Sequence, residues 1–205
     1  MTRLVMIRHA TTAWNEKRRL QGRVDIALSA KGCAEVAEWR VPKEFANGDW
    51  VSSPLLRAVQ TARALGAWRL TCEPRLIEMD WGKWEGRTID EMHLNDPVYM
   101  HEVESRGLDF SAPGGESPRQ IQQRLAPWLK EIATQERTII AVCHKGVVRS
   151  LFARALRWHM RGRPPVKLDW SAAQLFKLDN NGAPRLERSN VALVPAENNS
   201  GVKSR

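Results

Sequence analysis

Two runs of this chain are apolar without interruption, and each ends in a histidine. Leu4-Val5-Met6-Ile7 leads into Arg8-His9, and Ile139-Ile140-Ala141-Val142-Cys143 leads into His144-Lys145-Gly146. Apolar runs without polar alternation predict strands buried on both faces, as in a parallel sheet covered by helices. Helical patterns lie between them. Ser29 is placed to cap a helix carrying Ala34, Val36, Ala37 and Trp39 that runs to Pro42 or slightly beyond. After a short strand at Trp50-Val51-Ser52, Ser53-Pro54 reads as N-cap and first helical residue of a helix over Leu55–Leu65, with Leu55, Val59 and Ala62 at helical spacing. Ser117-Pro118 repeats that start ahead of Ile121, Leu125, Trp128, Leu129 and Ile132, and a further helix runs from Gly146 to about Leu156.

Between Arg75 and Gly115 the periodicity weakens under Gly82, Gly86, Pro97, Gly107 and Pro113-Gly114-Gly115, which predicts a helical, lid-like insertion over residues 75–116. Ala173–Leu178 and Arg185–Arg188, joined by Asp179-Asn180-Asn181-Gly182-Ala183-Pro184, predict an antiparallel hairpin at the sheet edge. From Ala196 to Arg205 the chain is polar and aperiodic, which predicts a disordered tail. The expected architecture is a single α/β domain over residues 1–195: a three-layer sandwich with a mostly parallel central sheet flanked by helices.

Composition narrows the function classes. At 205 residues, 42% hydrophobic and 27% charged, the chain is an ordinary globular sequence. No apolar run approaches the roughly 20 residues of a membrane span, and a strand begins within a few residues of Met1 in place of a signal segment, so a cytoplasmic location is expected. Cys33, Cys72 and Cys143 are widely spaced and odd in number, which predicts packing residues and neither a disulfide framework nor a zinc site. The net charge of +9 raises the question of nucleic acid. Basic residues are spread along the chain, often beside acids; only Arg154–Lys167 forms a local patch, and the tryptophans are not interleaved with it. The charge is therefore read as favouring an anionic small molecule, with no nucleic-acid or membrane partner expected and a homodimer left open.

In open α/β sheets, ligands sit beyond the carboxyl ends of the strands, and that is where Arg8, His9 and His144 fall. Arg8 offers a planar fork of donors matched to phosphate, and His9 a ring nitrogen able to act as nucleophile, base or ligand. An isolated Arg-His pair is an ordinary solvated loop start. Here it is followed in order by Gln21-Gly22, by Ser53-Pro54 with Arg57 and Gln60-Thr61-Ala62, by Glu78 before Gly82-Lys83-Trp84-Glu85-Gly86, by Pro113-Gly114-Gly115-Glu116-Ser117, and by Cys143-His144-Lys145-Gly146. His93, His101 and His159 lack ligand spacing and are read as surface residues. Pro113–Ser117 reads as a turn before a helix, not as a phosphate cradle.

From about Arg3 to Arg188 this series resembles the histidine phosphatase superfamily on its phosphoglycerate mutase-like branch. The family opens with Arg-His-Gly, a Thr and then an Asn; here Arg8-His9-Ala10-Thr11 and Asn15 stand in those places, with Ala10 replacing the glycine. The resemblance implies His9 as the nucleophile that becomes phosphohistidine, with Arg8, Arg57 and His144 gripping the phosphate and Asn15 adding a neutral donor. His144 thus belongs to both the catalytic and the binding set. Glu78 is implied as the proton donor, with Asp80 and Glu85 as neighbouring carboxylates able to share that role. Thr11, Gln21, Gly22 and Lys145 are candidates for substrate contact. No metal and no organic cofactor are implied.

This chemistry sets requirements on each side chain. His9 must keep a neutral nitrogen, so an acceptor should hold its other N–H and adjacent cations should lower its pKa. Glu78 must hold a proton near neutral pH, which burial or a second carboxylate would favour. The family's cofactor-dependent mutases have longer chains, an acid motif running through His-Tyr-Gly, and paired arginines in the lid. Here Glu78 is followed by Met79-Asp80-Trp81-Gly82, and no arginine pair lies between Arg87 and Arg106. The resemblance is thus to the phosphatases, including the α-ribazole phosphatase type and broad-specificity enzymes. The expected function is hydrolysis of a small phosphate ester. The alternatives are a phosphoglycerate mutase and a noncatalytic phosphate-binding or interaction module.

Overall fold

The computed structural model describes residues 1–195; the tail predicted to be disordered lies outside the described residues. In chain order the elements are β1 (Arg3–Arg8), α1 (Ala13–Glu16), α2 (Ala30–Ala37), β2 (Trp39–Arg40), β3 (Asp49–Ser52), α3 (Leu56–Ala64) and β4 (Leu70–Cys72). There follow α4 (Ile89–Asn95), α5 (Pro97–Ser105), α6 (Pro118–Ala133), β5 (Thr138–Cys143), α7 (Lys145–Ala155), β6 (Ala173–Leu178), β7 (Pro184–Val191) and β8 (Val194–Pro195). The main sheet has the order β4-β3-β5-β1-β6-β7. β4, β3, β5 and β1 run parallel, while β6 and β7 add an antiparallel edge. This is the mostly parallel α/β sandwich expected.

The strand period of two explains why β1 and β5 carry no polar residue between their ends. Leu4 and Met6 join Ile139, Ala141 and Cys143 in a core completed by Ile121, Leu125, Val147 and Leu151 of α6 and α7. Val5 and Ile7 join Ile140 and Val142 in the opposite core, against Val36 of α2 and Ala58 and Ala62 of α3. Alternate side chains thus enter different helical layers, and every one must be apolar. Parallel pairing of Arg8 with Cys143 brings the two strand ends together, so His9 and His144 emerge side by side.

The helix starts are largely those the sequence predicts. The Ser29 hydroxyl accepts from the Gly32 amide, and Ser117 forms a reciprocal capping box with Gln120. Three expectations are corrected. Trp39 leaves the helix, because α2 stops at Glu38 and Trp39–Arg40 pairs as a strand with Val194–Pro195. Ser53 is not the N-cap of α3: Leu55 holds that position, and Asp25 Oδ1 accepts from the Leu56 amide at 2.7 Å from a distant loop. Cys33 and Cys72 are exposed, so only Cys143 is a packing residue.

The segment between β4 and α6 is helical, as expected, and carries a small core of its own from Trp84, Met92, Met100, Val103 and Ala112. No helix among the described residues is long and apolar enough to cross a membrane.

Candidate active site

His9 sits just past β1, 4% exposed, with Nδ1 2.7 Å from the carbonyl oxygen of Ala10. A carbonyl can only accept, so Nδ1 carries the proton and Nε2 keeps its lone pair. The loop is pinned by the Ala10 amide, which donates to the Thr61 hydroxyl at 3.0 Å. Ala10 is buried and does not have positive φ, so the alanine is accommodated where the family carries glycine. The His9 and His144 ring centroids lie 5.2 Å apart. Burial, then the charges of Arg8 and Arg57, hold the pKa of His9 well below the ordinary histidine value. Burial and the neighbouring His9 and arginines do the same for His144. Both rings are held neutral at pH 7.

Arg57 lies in the first turn of α3 and is fully buried. Its guanidinium donates to the carbonyls of Val24 and Gly22, each at 2.8 Å. Gly22 has φ +52, and a Cβ there would fall 1.8 Å from Glu85 Oε1, so glycine lets this turn meet the Glu85 carboxylate without displacing it. The Arg8 side chain makes no hydrogen bond or ion pair among the described residues, though the charges of Glu78 and Glu35 act on it. Arg8 Nε, Arg57 Nε and His144 Nδ1 are buried polar atoms without a protein partner. Such atoms carry a desolvation cost of about 1–3 kcal/mol each. Concentrated around one histidine, and joined by two guanidinium charges, they suit an oxyanion.

Glu78 is 7% exposed. Its Oε1 accepts from the amides of Met79 at 2.8 Å and Gly146 at 3.1 Å. Burial raises its pKa, and this outweighs the two amides and the charges of Arg57 and Arg8. The rise comes from burial, not from a second carboxylate. Asp80 accepts from the Gly82 amide and lies 3.5 Å from Arg23, while Glu85 accepts from the Arg23 amide. Both are committed to the loop around Gly22.

Asn15 Oδ1 accepts from the amide of Thr12 at 3.1 Å, which leaves its NH2 as the end able to donate outward. Thr11 donates to Glu35 at 2.8 Å. Gln21 is buried and accepts from the Thr12 hydroxyl, and Gly22 meets Arg57 through its carbonyl. The Lys145 ammonium stands over the Trp170 ring, 5.4 Å from its centroid. His93 pairs with Glu104 on the surface, and His101 and His159 are exposed.

Sequence reasoning missed several supporting residues. Ser53 Oγ lies 2.7 Å from His144 Nε2, Gly146 underlies Glu78, and the carbonyls of Gly22 and Val24 hold Arg57. The Gln21-Gly22 and Ser53-Pro54 pairs were visible as motif pieces, but their partners are remote in the chain. A cavity of about 750 Å³ opens from Arg8, His9 and Thr11 toward Trp39 and the 167–171 loop. Its far wall was not expected at all. No group of three or more His, Cys, Asp or Glu among the described residues is arranged to hold a metal.

A neutral buried histidine subject to the charges of two arginines, with a buried carboxyl of raised pKa nearby, is an arrangement able to hold an oxyanion at the end of an α/β sheet. The family model described as histidine phosphatase superfamily (branch 1) matches residues 4–192, and the chain belongs to that family. It is 32% identical over 162 residues to phosphoglycerate mutase-like protein 4 of Arabidopsis thaliana, covering 74% of this chain and 70% of that protein. It is 34% identical over 173 residues to the glucosyl-3-phosphoglycerate phosphatase of Mycolicibacterium vanbaalenii, covering 75% and 74%. Against some longer relatives the match spans 44% of their length. Among solved structures, the phosphoserine phosphatase of Entamoeba histolytica in complex with 3-phosphoglyceric acid superposes with a TM-score of 0.77 at 28% identity, covering 94% of this chain and 98% of that one. The class is that of phosphomonoester hydrolases working through a phosphohistidine.

Proposed function

We propose that this chain hydrolyses phosphate monoesters of small metabolites, with His9 as nucleophile and Glu78 as general acid and base. The observation that carries the assignment is the His9 hydrogen bond: with Nδ1–H held by Ala10, Nε2 is the nitrogen left to attack. In the first half-reaction, Nε2 forms a bond to phosphorus as the bond to the ester oxygen breaks. The proton of Glu78 passes to the departing alkoxide. Arg8, Arg57, His144 and the Asn15 amide stabilise the equatorial oxygens throughout. In the second, the Glu78 carboxylate takes a proton from water as that water attacks phosphorus, and the N–P bond breaks to release inorganic phosphate.

Residues 1–195 act as one domain in this reading, with the 75–116 segment as a lid that brings Glu78 to the site. Three cysteines free of disulfides fit a cytoplasmic location, and the basic net charge favours anionic substrates. The test is single-turnover reaction of an alkyl phosphate labelled at phosphorus. Acid-labile, base-stable label on wild type and none on His9→Ala is expected. Label retained by His9→Ala would overturn the assignment. Transfer of the label to a second hydroxyl of the substrate, in place of water, would identify a mutase.

A further inference from the structure

β3, β5 and β1 are neighbours in the sheet, and the residues just past their ends are Ser53, His144 and His9. These three stand in a row. Ser53 Oγ is 2.7 Å from His144 Nε2, and the His144 and His9 ring centroids are 5.2 Å apart. Ser53 is fixed on both sides: its amide donates to the Val142 carbonyl at 2.9 Å, and its Oγ accepts from the Leu55 amide at 3.3 Å. Ser53 and His144 are both fully buried, so water does not complete their hydrogen bonding.

A serine hydroxyl has one proton and two lone pairs. The Leu55 amide occupies a lone pair, and among the described residues the acceptor within reach of the proton is His144 Nε2. Were Nε2 to donate instead, the hydroxyl proton would be buried without an acceptor. A neutral imidazole whose Nε2 accepts carries its own proton on Nδ1. That nitrogen is buried and has no partner in the protein, and although His144 is the N-cap of α7, its ring accepts no amide of the helix. We propose that Ser53 is a positioning residue whose hydroxyl sets the tautomer of His144, so that Nδ1–H is offered to a phosphoryl oxygen as a neutral donor. The inference rests on the phosphatase reading above. The opposite tautomer would aim a lone pair at the oxyanion, so Ser53 acts on the transition state through His144 without touching substrate. His9 and His144 are thereby held in the same tautomer by opposite means: the Ala10 carbonyl accepts from Nδ1 of one, and the Ser53 hydroxyl donates to Nε2 of the other. His9 is left with a bare Nε2 for phosphorus, and His144 with a protonated Nδ1 for oxygen.

The test is nitrogen NMR of protein labelled with 15N-histidine at pH 7. The chain has five histidines, and His144 is assigned by its absence from the spectrum of His144→Asn. Wild type should show His144 protonated on Nδ1 and bare on Nε2; a protonated Nε2 would overturn the proposal. Ser53→Ala should shift His144 toward the Nε2–H tautomer, while Ser53→Thr, which keeps the hydroxyl, should leave it unchanged. An Nδ1–H tautomer retained in full by Ser53→Ala would overturn the role of Ser53. Kinetics give a second reading. Because His144 grips phosphoryl oxygens, Ser53→Ala should lower kcat/KM by about tenfold or more, and by the same factor on an alkyl phosphate and on para-nitrophenyl phosphate, with Ser53→Thr recovering most of the loss. Full activity in Ser53→Ala, or a loss confined to the alkyl ester, would overturn the proposal. Should both variants melt far below wild type, wild type titrated with inorganic phosphate decides: a shift of the His144 Nδ1–H resonance supports the donor, and an unmoved resonance overturns it. If wild type hydrolyses no ester, the phosphatase reading fails, and the tautomers of wild type and Ser53→Ala still decide whether Ser53 sets the His144 ring.

Discussion

The Glu78 carboxylate rests on the backbone of Gly146, with Oε1 3.1 Å from the Gly146 amide and only 2.5 Å from where a Cβ on that residue would stand. The second histidine strand therefore positions Glu78, the proposed acid, as well as His144. Gly146→Ala should displace Glu78 and lower kcat on alkyl phosphates by about tenfold or more, within the range general acid catalysis supplies. The loss should be much smaller on para-nitrophenyl phosphate, whose leaving group needs little protonation. Equal turnover by Gly146→Ala and wild type on an alkyl ester would show that Glu78 tolerates the displacement.

Replacing the acid itself gives a second test. Glu78→Gln keeps an oxygen for the Met79 and Gly146 amides but has no proton of carboxylic acidity to give. It should damage alkyl ester hydrolysis by roughly 10²-fold or more and para-nitrophenyl phosphate hydrolysis far less. Equal losses on both esters would shift the comparison to Asp80 and Glu85. Burial raises the Glu78 pKa, so its contribution to stability is present below the ordinary glutamate value and is lost as the pH rises through its folded value. Glu78→Gln should consequently melt higher than wild type at pH 8, with the gain shrinking toward pH 4.

Much of this site was legible because its principal residues lie at the ends of locally recognisable elements. The apolar runs before His9 and His144 announce buried parallel strands, and Ser29 and Ser117 cap their helices through contacts three residues away. What could not be read depends on pairings between distant segments. The spacing of Trp39 fits a helix, and the strand partner that competes for it, Val194–Pro195, lies far along the chain. Asp25 caps α3 from another loop, and Ser53, whose position suggested a cap, reaches His144 instead. The rise in the Glu78 pKa was anticipated, but only three-dimensional packing separates burial from a neighbouring carboxylate as its cause.

The two neutral histidines predict how the fold responds to acid. Their folded-state pKa values lie well below the ordinary histidine value of 6.5. Below that pH the unfolded chain takes up protons that folded His9 and His144 refuse. Their contribution to stability is present above pH 6.5 and is lost as the pH falls toward the folded values. The melting temperature of wild type should fall between pH 7 and pH 5, and His9→Asn should show a shallower fall. Parallel melting profiles for the two proteins would mean that folded His9 takes up its proton at the same pH as the unfolded chain.

Arg57 offers a separation of charge from geometry. Its guanidinium is held by the Gly22 and Val24 carbonyls, and a lysine has no planar fork with which to make both contacts while facing a phosphate. Arg57→Ala should cost about 3 kcal/mol of transition-state stabilisation, or roughly 10²-fold in kcat/KM, as expected for loss of an oxyanion donor. Arg57→Lys should recover only a small part of that, because it restores charge without the orientation. Because the side chain is fully buried, both variants need a melting temperature beside the kinetics. If Arg57→Lys matches wild type while Arg57→Ala is inactive, charge alone matters at this position and the two carbonyl contacts are dispensable for catalysis.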